Sequence, residues 1–182
     1  MRKDLGIKTC VEPMPVFIIG TYDENGHPNA MNAAWGGTYD TNKIFICLDK
    51  HKTTSNLEVS KAFTVMFANA ETAMISDYFG VATGNKEDKI AKSGVHIEKS
   101  KYVNAPLILE YPLAVECTVD SLVDGLLIGS IKNVSVDEKY VDSDGKIDVT
   151  KMQLICYEPI NQDYLVVGEK VAKAFKVGLK LK

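Results

Sequence analysis

The densest chemistry in the sequence lies at Cys47-Leu48-Asp49-Lys50-His51-Lys52-Thr53-Thr54-Ser55-Asn56. An apolar run ends there, a basic and hydroxyl-rich stretch follows, and a helix start is expected behind it. A helix N-terminus offers free backbone N–H groups and the positive end of the helix dipole, both of which attract anions. Lys50, His51 and Lys52 add charge, and Thr53, Thr54 and Ser55 add hydroxyl donors. Such a segment could hold a phosphate through charge-assisted hydrogen bonds. A solvated loop with ordinary capping residues explains the same pattern, and on these residues alone the two readings stand level. His51 by itself indicates neither a metal nor a general base.

Two further clusters could serve a ligand. In Asn29-Ala30-Met31-Asn32-Ala33-Ala34-Trp35-Gly36-Gly37-Thr38 small side chains surround an Asn and the single Trp. Small residues let a flat ring approach the backbone, Asn32 could read the edge of a heterocycle, and Trp35 could pack against it. A strand end with a core Trp is the simpler explanation. In Ser76-Asp77-Tyr78-Phe79-Gly80-Val81-Ala82-Thr83-Gly84 with Asp88-Lys89-Ile90 the glycines lack phosphate-loop spacing. A helix-loop-helix connection, with Lys89 a solvated charge, accounts for it.

Other chemistries find little support. Cys10, Cys47, Cys117 and Cys156 are scattered, with no CxxC and no His at metal spacing. Single cysteines of this kind are usually small hydrophobes. Cys47 and Cys117 read as packed strand residues, and Cys10 as one that could be exposed. Asp142-Ser143-Asp144-Gly145-Lys146-Ile147-Asp148 lacks the spacing and terminal Glu of a calcium loop and reads as a hairpin turn. His27, His51 and His96 fall in turns or loops, with no nucleophile elbow nearby. Neither a catalytic residue nor a metal ligand is nominated.

Strand-like runs dominate the elements that must position these clusters. Val16–Tyr22 and Pro28–Ala34 flank an Asn25-Gly26 turn, a strong hairpin signal. Lys43–Leu48, Ala62–Ala68, Leu113–Leu122, Leu126–Val136, Leu154–Tyr157 and Tyr164–Gly168 continue the series. Helical pieces are short: Asn56–Lys61 behind a Ser55-x-x-Glu58 capping box, Thr72–Phe79, and Glu87–Lys92 stopped by Gly94. Short-spaced strands with a few inserted helices suggest a mainly β (α+β) protein, a barrel or sandwich. No βαβ alternation and no GxGxxG motif point to a dinucleotide fold.

Composition sets the outer limits. The chain has 182 residues, is 46% hydrophobic and 25% charged, and carries a formal net charge of −3. That suits one globular domain and excludes disorder, collagen and coiled coil. No basic stripe suggests nucleic acid as a partner. No apolar run approaches the roughly 18 residues of a membrane span. Met1-Arg2-Lys3-Asp4 has no apolar segment behind it, so no signal peptide is evident and a cytoplasmic location is expected.

Taken in order, the motifs resemble the flavin reductase-like family with its FMN-binding split barrel, and in particular its flavoredoxin branch. The resemblance runs from about Pro15 to Val136, with a continuation towards Phe175. Met14-Pro15-Val16 and Gly26-His27-Pro28-Asn29-Ala30 resemble the first hairpin, Asn32-Ala33-Ala34-Trp35 the flavin-facing segment, and His51-Lys52-Thr53-Thr54-Ser55-Asn56 the phosphate-binding turn. Asp77-Tyr78-Phe79-Gly80, Gly84, and Asp88-Lys89-Ile90 through Gly94 are similar to a further stretch. So are Ala105-Pro106-Leu107-Ile108, Leu113–Cys117 and Ile128–Ile131. Number, order and spacing carry the resemblance, since each motif is weak alone.

The resemblance implies one split β-barrel domain of Greek-key type over 1–182, with 1–12 and 176–182 as tails or dimer arms. It implies FMN as cofactor, with NADH or NADPH as electron donor. Lys52, Thr53 and Thr54 would cradle the phosphate, with Asn56 near the ribityl chain or the helix start. Asn32, Ala33, Ala34 and Trp35 would lie along the ring, and Lys89 would reach the phosphate from the next loop. It implies a homodimer with flavin near the interface. The activity implied is reduction of flavin or a small acceptor. A carrier taking electrons from a redox protein partner and a non-catalytic binder of flavin or another phosphorylated ligand are the alternatives. Three departures stand out: Thr83 where the family often has Ser, Asn85 where it often has Arg, and Val123-Asp124-Gly125-Leu126 where many members carry a His.

Overall fold

A computed structural model describes residues 2–181; residues 1 and 182, the outer ends of the expected tails, lie outside the described residues. Short β1 (Met14–Pro15) precedes β2 (Phe17–Tyr22), β3 (Pro28–Ala33), β4 (Gly36–Asp40) and β5 (Lys43–Cys47). Helix α1 (Lys52–Ser60), β6 (Ala62–Phe67), and helices α2 (Ala73–Val81) and α3 (Lys89–Ser93) follow. Then come a small hairpin of β7 (Ile97–Lys99) and β8 (Pro106–Ile108), and the long hairpin of β9 (Leu113–Val123) and β10 (Leu126–Val136). Strands β11 (Ile155–Glu158) and β12 (Asp163–Val166) close the body.

Seven strands form one antiparallel sheet in the order β3-β2-β6-β9-β10-β5-β4. Its edge strands, β3 and β4, are joined by Ala34 and Trp35 alone. In a flat sheet, six spacings of about 4.8 Å would set those edges roughly 29 Å apart. The link from Ala33 to Gly36 reaches at most about 11 Å. The sheet therefore curls until its edges approach one another, giving a split barrel with a few short helices. Gly36 sits at this closure, where a Cβ would lie 2.7 Å from the Phe45 carbonyl oxygen of neighbouring β5 and 3.0 Å from the Phe17 ring of β2.

Period-two alternation divides the core between two clusters. Phe17 and Ile19 of β2, Phe63 and Val65 of β6, and Cys117 and Leu127 turn into the barrel. Val16 and Ile18, Met66 and Ala68 turn outward, where they pack against Phe79 of α2 and Ile90 of α3. Strands β2 and β6 are thus covered on both faces, which explains their nearly unbroken apolar sequences. Strands β1, β11 and β12 form a separate three-stranded sheet.

The structure corrects several expectations. Helix α1 begins at Lys52 rather than Asn56, because the Thr54 hydroxyl, not Ser55, receives the cap N–H, that of His51, at 2.9 Å. Strand β4 was not expected; its Gly-Gly start carries no side-chain pattern. Cys47 is exposed rather than packed, since Ile46 and Leu48 on either side are the buried neighbours. Among the described residues no helix is long and apolar enough to cross a membrane.

Candidate functional site

Where the barrel edges approach, a cleft opens in two chambers that share Met31, Asn32 and His51. The first, about 280 Å³, lies between the start of α1 and the end of α2. Thr53 and Asn29 form part of its wall, and Gly84 and Lys89 another part. The second, about 420 Å³, runs along Asn32, Ala33, Ala34 and Trp35 to Leu48 and the Asp124-Gly125 turn.

The smaller chamber has the chemistry of an anion site. The N–H groups of Lys52 and Thr53 belong to the first turn of α1, where no intrahelical acceptor exists. Asn29 Nδ2 donates to Thr53 Oγ1 at 3.0 Å, which leaves the Thr53 hydroxyl proton free to donate onward. Lys52 Nζ sits 3.4 Å from Asp23 Oδ2. The His27 backbone N–H, with that of Asn25 and the Lys52 side chain, holds the Asp23 carboxyl below its ordinary value.

Lys89 is the unusual member. Only 4% of it is exposed. Its ammonium donates to the carbonyl oxygens of Phe79 at 3.0 Å and Ala82 at 3.3 Å, and among the described residues it makes no salt bridge. Burial pulls its pKa down from 10.5 to about 8, with nearby Glu87 opposing weakly. A buried cation with only carbonyl partners, facing a chamber, is suited to an anion arriving there. The solvated charge expected for Lys89 in isolation is thus replaced by a buried one.

The larger chamber combines small and apolar groups with four polar ones, Asn32, Asp49, His51 and Asp124. Ala33 and Ala34 leave backbone accessible, and Trp35 stands 56% exposed at the margin. Asp124 (φ 49°) and Gly125 (φ 80°) form a tight hairpin turn of the positive-φ kind, and the Gly125 carbonyl accepts the Leu48 N–H at 2.7 Å. Asn32 is held from behind: its Nδ2 donates to the Ser76 carbonyl at 2.9 Å and to Tyr164 Oη at 3.4 Å.

The structure brings Asn32, Ala33, Ala34, Trp35, Lys52, Thr53 and Lys89 to one cleft and leaves Thr54 and Asn56 out of its lining. Thr54 caps α1, and buried Asn56 donates to Thr21 Oγ1 at 2.9 Å, fastening α1 to β2. Sequence reasoning placed Asn29, Cys47 and Gly84 within the candidate clusters without nominating them as site residues, and it missed Tyr164. The alternation of Ile46, Cys47 and Leu48 was the available signal for the Cys. Nothing local marks Tyr164, which comes from a different sheet.

The model described as "Flavin reductase like domain" matches residues 11–151. The flavoredoxin of Desulfovibrio vulgaris (Miyazaki F) is similar at 35% identity and a TM-score of 0.94, over 98% of this chain and 100% of that one. A flavoredoxin from Methanosarcina acetivorans is similar at 25% identity and a TM-score of 0.88, over 100% of both chains. A protein with a split barrel domain from Shewanella frigidimarina NCIMB 400 shares the fold at 20% identity and a TM-score of 0.77, over 88% of this chain and 84% of that one. No curated protein sequence matches the chain.

Proposed function

The chain belongs to the flavin reductase-like family, in its flavoredoxin branch, and from that premise we propose that it binds FMN in the two-chamber cleft. It then acts as an oxidoreductase that takes reducing equivalents from NADH or NADPH and delivers them to flavin or another small acceptor. The observation that carries the FMN reading is the buried Lys89, hydrogen-bonded only to backbone carbonyls, in the same chamber wall as the first turn of α1. One small chamber bearing Lys52 and Lys89 next to one larger chamber with Ala33, Ala34 and Trp35 along its wall fits a single phosphate group attached to a ring, hence FMN in preference to a dinucleotide.

In this proposal Lys52, Thr53 and Lys89 hold the phosphate. Ala33, Ala34 and Trp35 line the ring and Asn32 stands at its inner edge, where the two chambers meet, while Thr54 and Asn56 serve by fixing the helix that presents the phosphate donors. Bound FMN would supply the redox chemistry, and the protein supplies binding and orientation. No side chain is assigned as acid or base. The exposed apolar margin of Trp35, Val123 and Leu126 at the larger chamber supports a homodimer with flavin near the interface. The exposed segments at 2–12 and 176–181 are proposed as tails or arms of that dimer around a single domain. A cytoplasmic setting belongs to the same proposal.

A second reading, an electron carrier supplied by a redox protein, is favoured by the 35% identity to a flavoredoxin across nearly the whole chain. One experiment separates these. The purified protein is titrated with FMN, then mixed with NADH or NADPH without oxygen. Bleaching of the bound flavin supports the reductase. Colour that persists until a reduced redox protein is added supports the carrier, and persistence throughout supports a simple binder. A protein that neither carries nor takes up FMN overturns all three.

A further inference from the structure

We infer that Asp77 and Tyr164 form a hydrogen-bond relay that fixes which end of the Asn32 amide faces the cleft, and that the Asn32 oxygen thereby accepts a ribityl hydroxyl of the flavin. The inference rests on the FMN reading above and deepens it. Tyr164 lies beyond residues 11–151, which the family model matches, and it belongs to the three-stranded sheet rather than to the barrel.

The argument is one of donors and acceptors. An ionised carboxylate only accepts, so the contact of 3.0 Å between Tyr164 Oη and Asp77 Oδ1 commits the tyrosine proton to Asp77. Burial, reinforced by Asp77, raises the Tyr164 pKa to about 12, so that proton stays in place. Towards Asn32 the tyrosine oxygen can then only accept. The Ser76 carbonyl, 2.9 Å from Asn32 Nδ2, can likewise only accept. Both partners behind Asn32 therefore demand its NH₂ group, and its Oδ1 is left as an acceptor at the junction of the two chambers. A phosphate in one chamber and a ring in the other would place the hydroxyl-bearing linker at that junction. Tyr164 and Asp77 are positioning residues: they act through Asn32.

The test uses Tyr164→Phe and Asp77→Asn in the full chain. Dissociation constants are measured for FMN, riboflavin and lumiflavin, the last having the ring without the ribityl chain. Loss of one oriented hydrogen bond predicts weakening of about tenfold for FMN and riboflavin alike. Lumiflavin binding stays unchanged. Equal loss for all three ligands would show that the pair acts through the ring or the fold and overturns the inference; so would unchanged binding of all three. A readout without flavin keeps the relay separate from the FMN reading. In the free protein the Asn32 side-chain amide, assigned through its loss in Asn32→Ala, shows slowed hydrogen exchange that Asp77→Asn and Tyr164→Phe accelerate. Fast exchange in the unsubstituted protein overturns the relay. Slow exchange with no flavin binding at all overturns the FMN reading and, with it, the ribityl acceptor.

Discussion

The Lys89 ammonium lies 3.0 Å from the backbone carbonyl oxygen of Phe79, so the cation is held by the end of a helix rather than by a carboxylate. Its pKa of about 8 gives the site a pH dependence with a definite sign. A bound phosphate favours the charged form and raises that value. FMN affinity is therefore full below about pH 8 and declines as pH rises past it, whereas riboflavin affinity stays flat. Stability of the free protein moves the other way. Between about 8 and 10.5 the unfolded chain holds the Lys89 proton more tightly, so this group's contribution to folding improves with rising pH. Lys89→Met should reduce FMN affinity by about tenfold or more and abolish the pH-dependent decline. Titrations from pH 7 to 10 with both flavins check this, and parallel declines for the two would exclude Lys89 as the phosphate partner.

Asp23 competes for the Lys52 ammonium at 3.4 Å. Asp23→Asn removes a negative charge close to the proposed phosphate and frees Lys52. FMN affinity should rise by about two- to fivefold at low ionic strength, with the gain shrinking in salt and absent for riboflavin. A fall in FMN affinity would mean that Asp23 orients Lys52 instead of opposing it.

Gly84 allows two chamber-wall side chains to approach. A Cβ there would collide with Asn29 Oδ1 and lie 3.3 Å from Lys52 Cδ. Gly84→Ala should displace both residues, destabilise the protein by about 1–3 kcal/mol and weaken FMN binding more than riboflavin binding. Thermal unfolding together with the two affinities checks the prediction, and wild-type values for both would place Gly84 outside the site.

Cys47 borders the larger chamber and is exposed, whereas Cys117 is fully buried and its thiol is pushed up to about 12 by burial. A thiol reagent should label Cys10 and Cys47 quickly and leave Cys117 untouched until the chain unfolds. Saturating FMN should protect Cys47 and leave Cys10 reactive, as mass spectrometry of the labelled peptides would reveal. Full labelling of Cys47 in the presence of FMN would remove the ring from that chamber.

The parts of this architecture that depend on local signals are the ones the sequence discloses. Asn25-Gly26 and Asp124-Gly125 mark hairpin turns, and the β-branched runs of β2 and β6 mark strands buried on both faces. The capping residue of α1 was ambiguous because Thr54 and Ser55 are chemically alike, and only the fold decides between them. The burial of Lys89 was hidden because its carbonyl partners, Phe79 and Ala82, stand ten and seven residues away. Tyr164 lies 132 residues from Asn32, a separation no local pattern spans.

The two-residue link at Ala34 and Trp35 puts the larger chamber at the seam of the barrel. A ligand seated there would touch both free margins of the sheet at once and act as a clasp. Occupancy would then raise unfolding temperature with ligand concentration, as any native-state ligand does. It would also have an address: amide protection would grow first in β3 and β4, the strands either side of the seam, while β9 on the opposite wall would be largely indifferent.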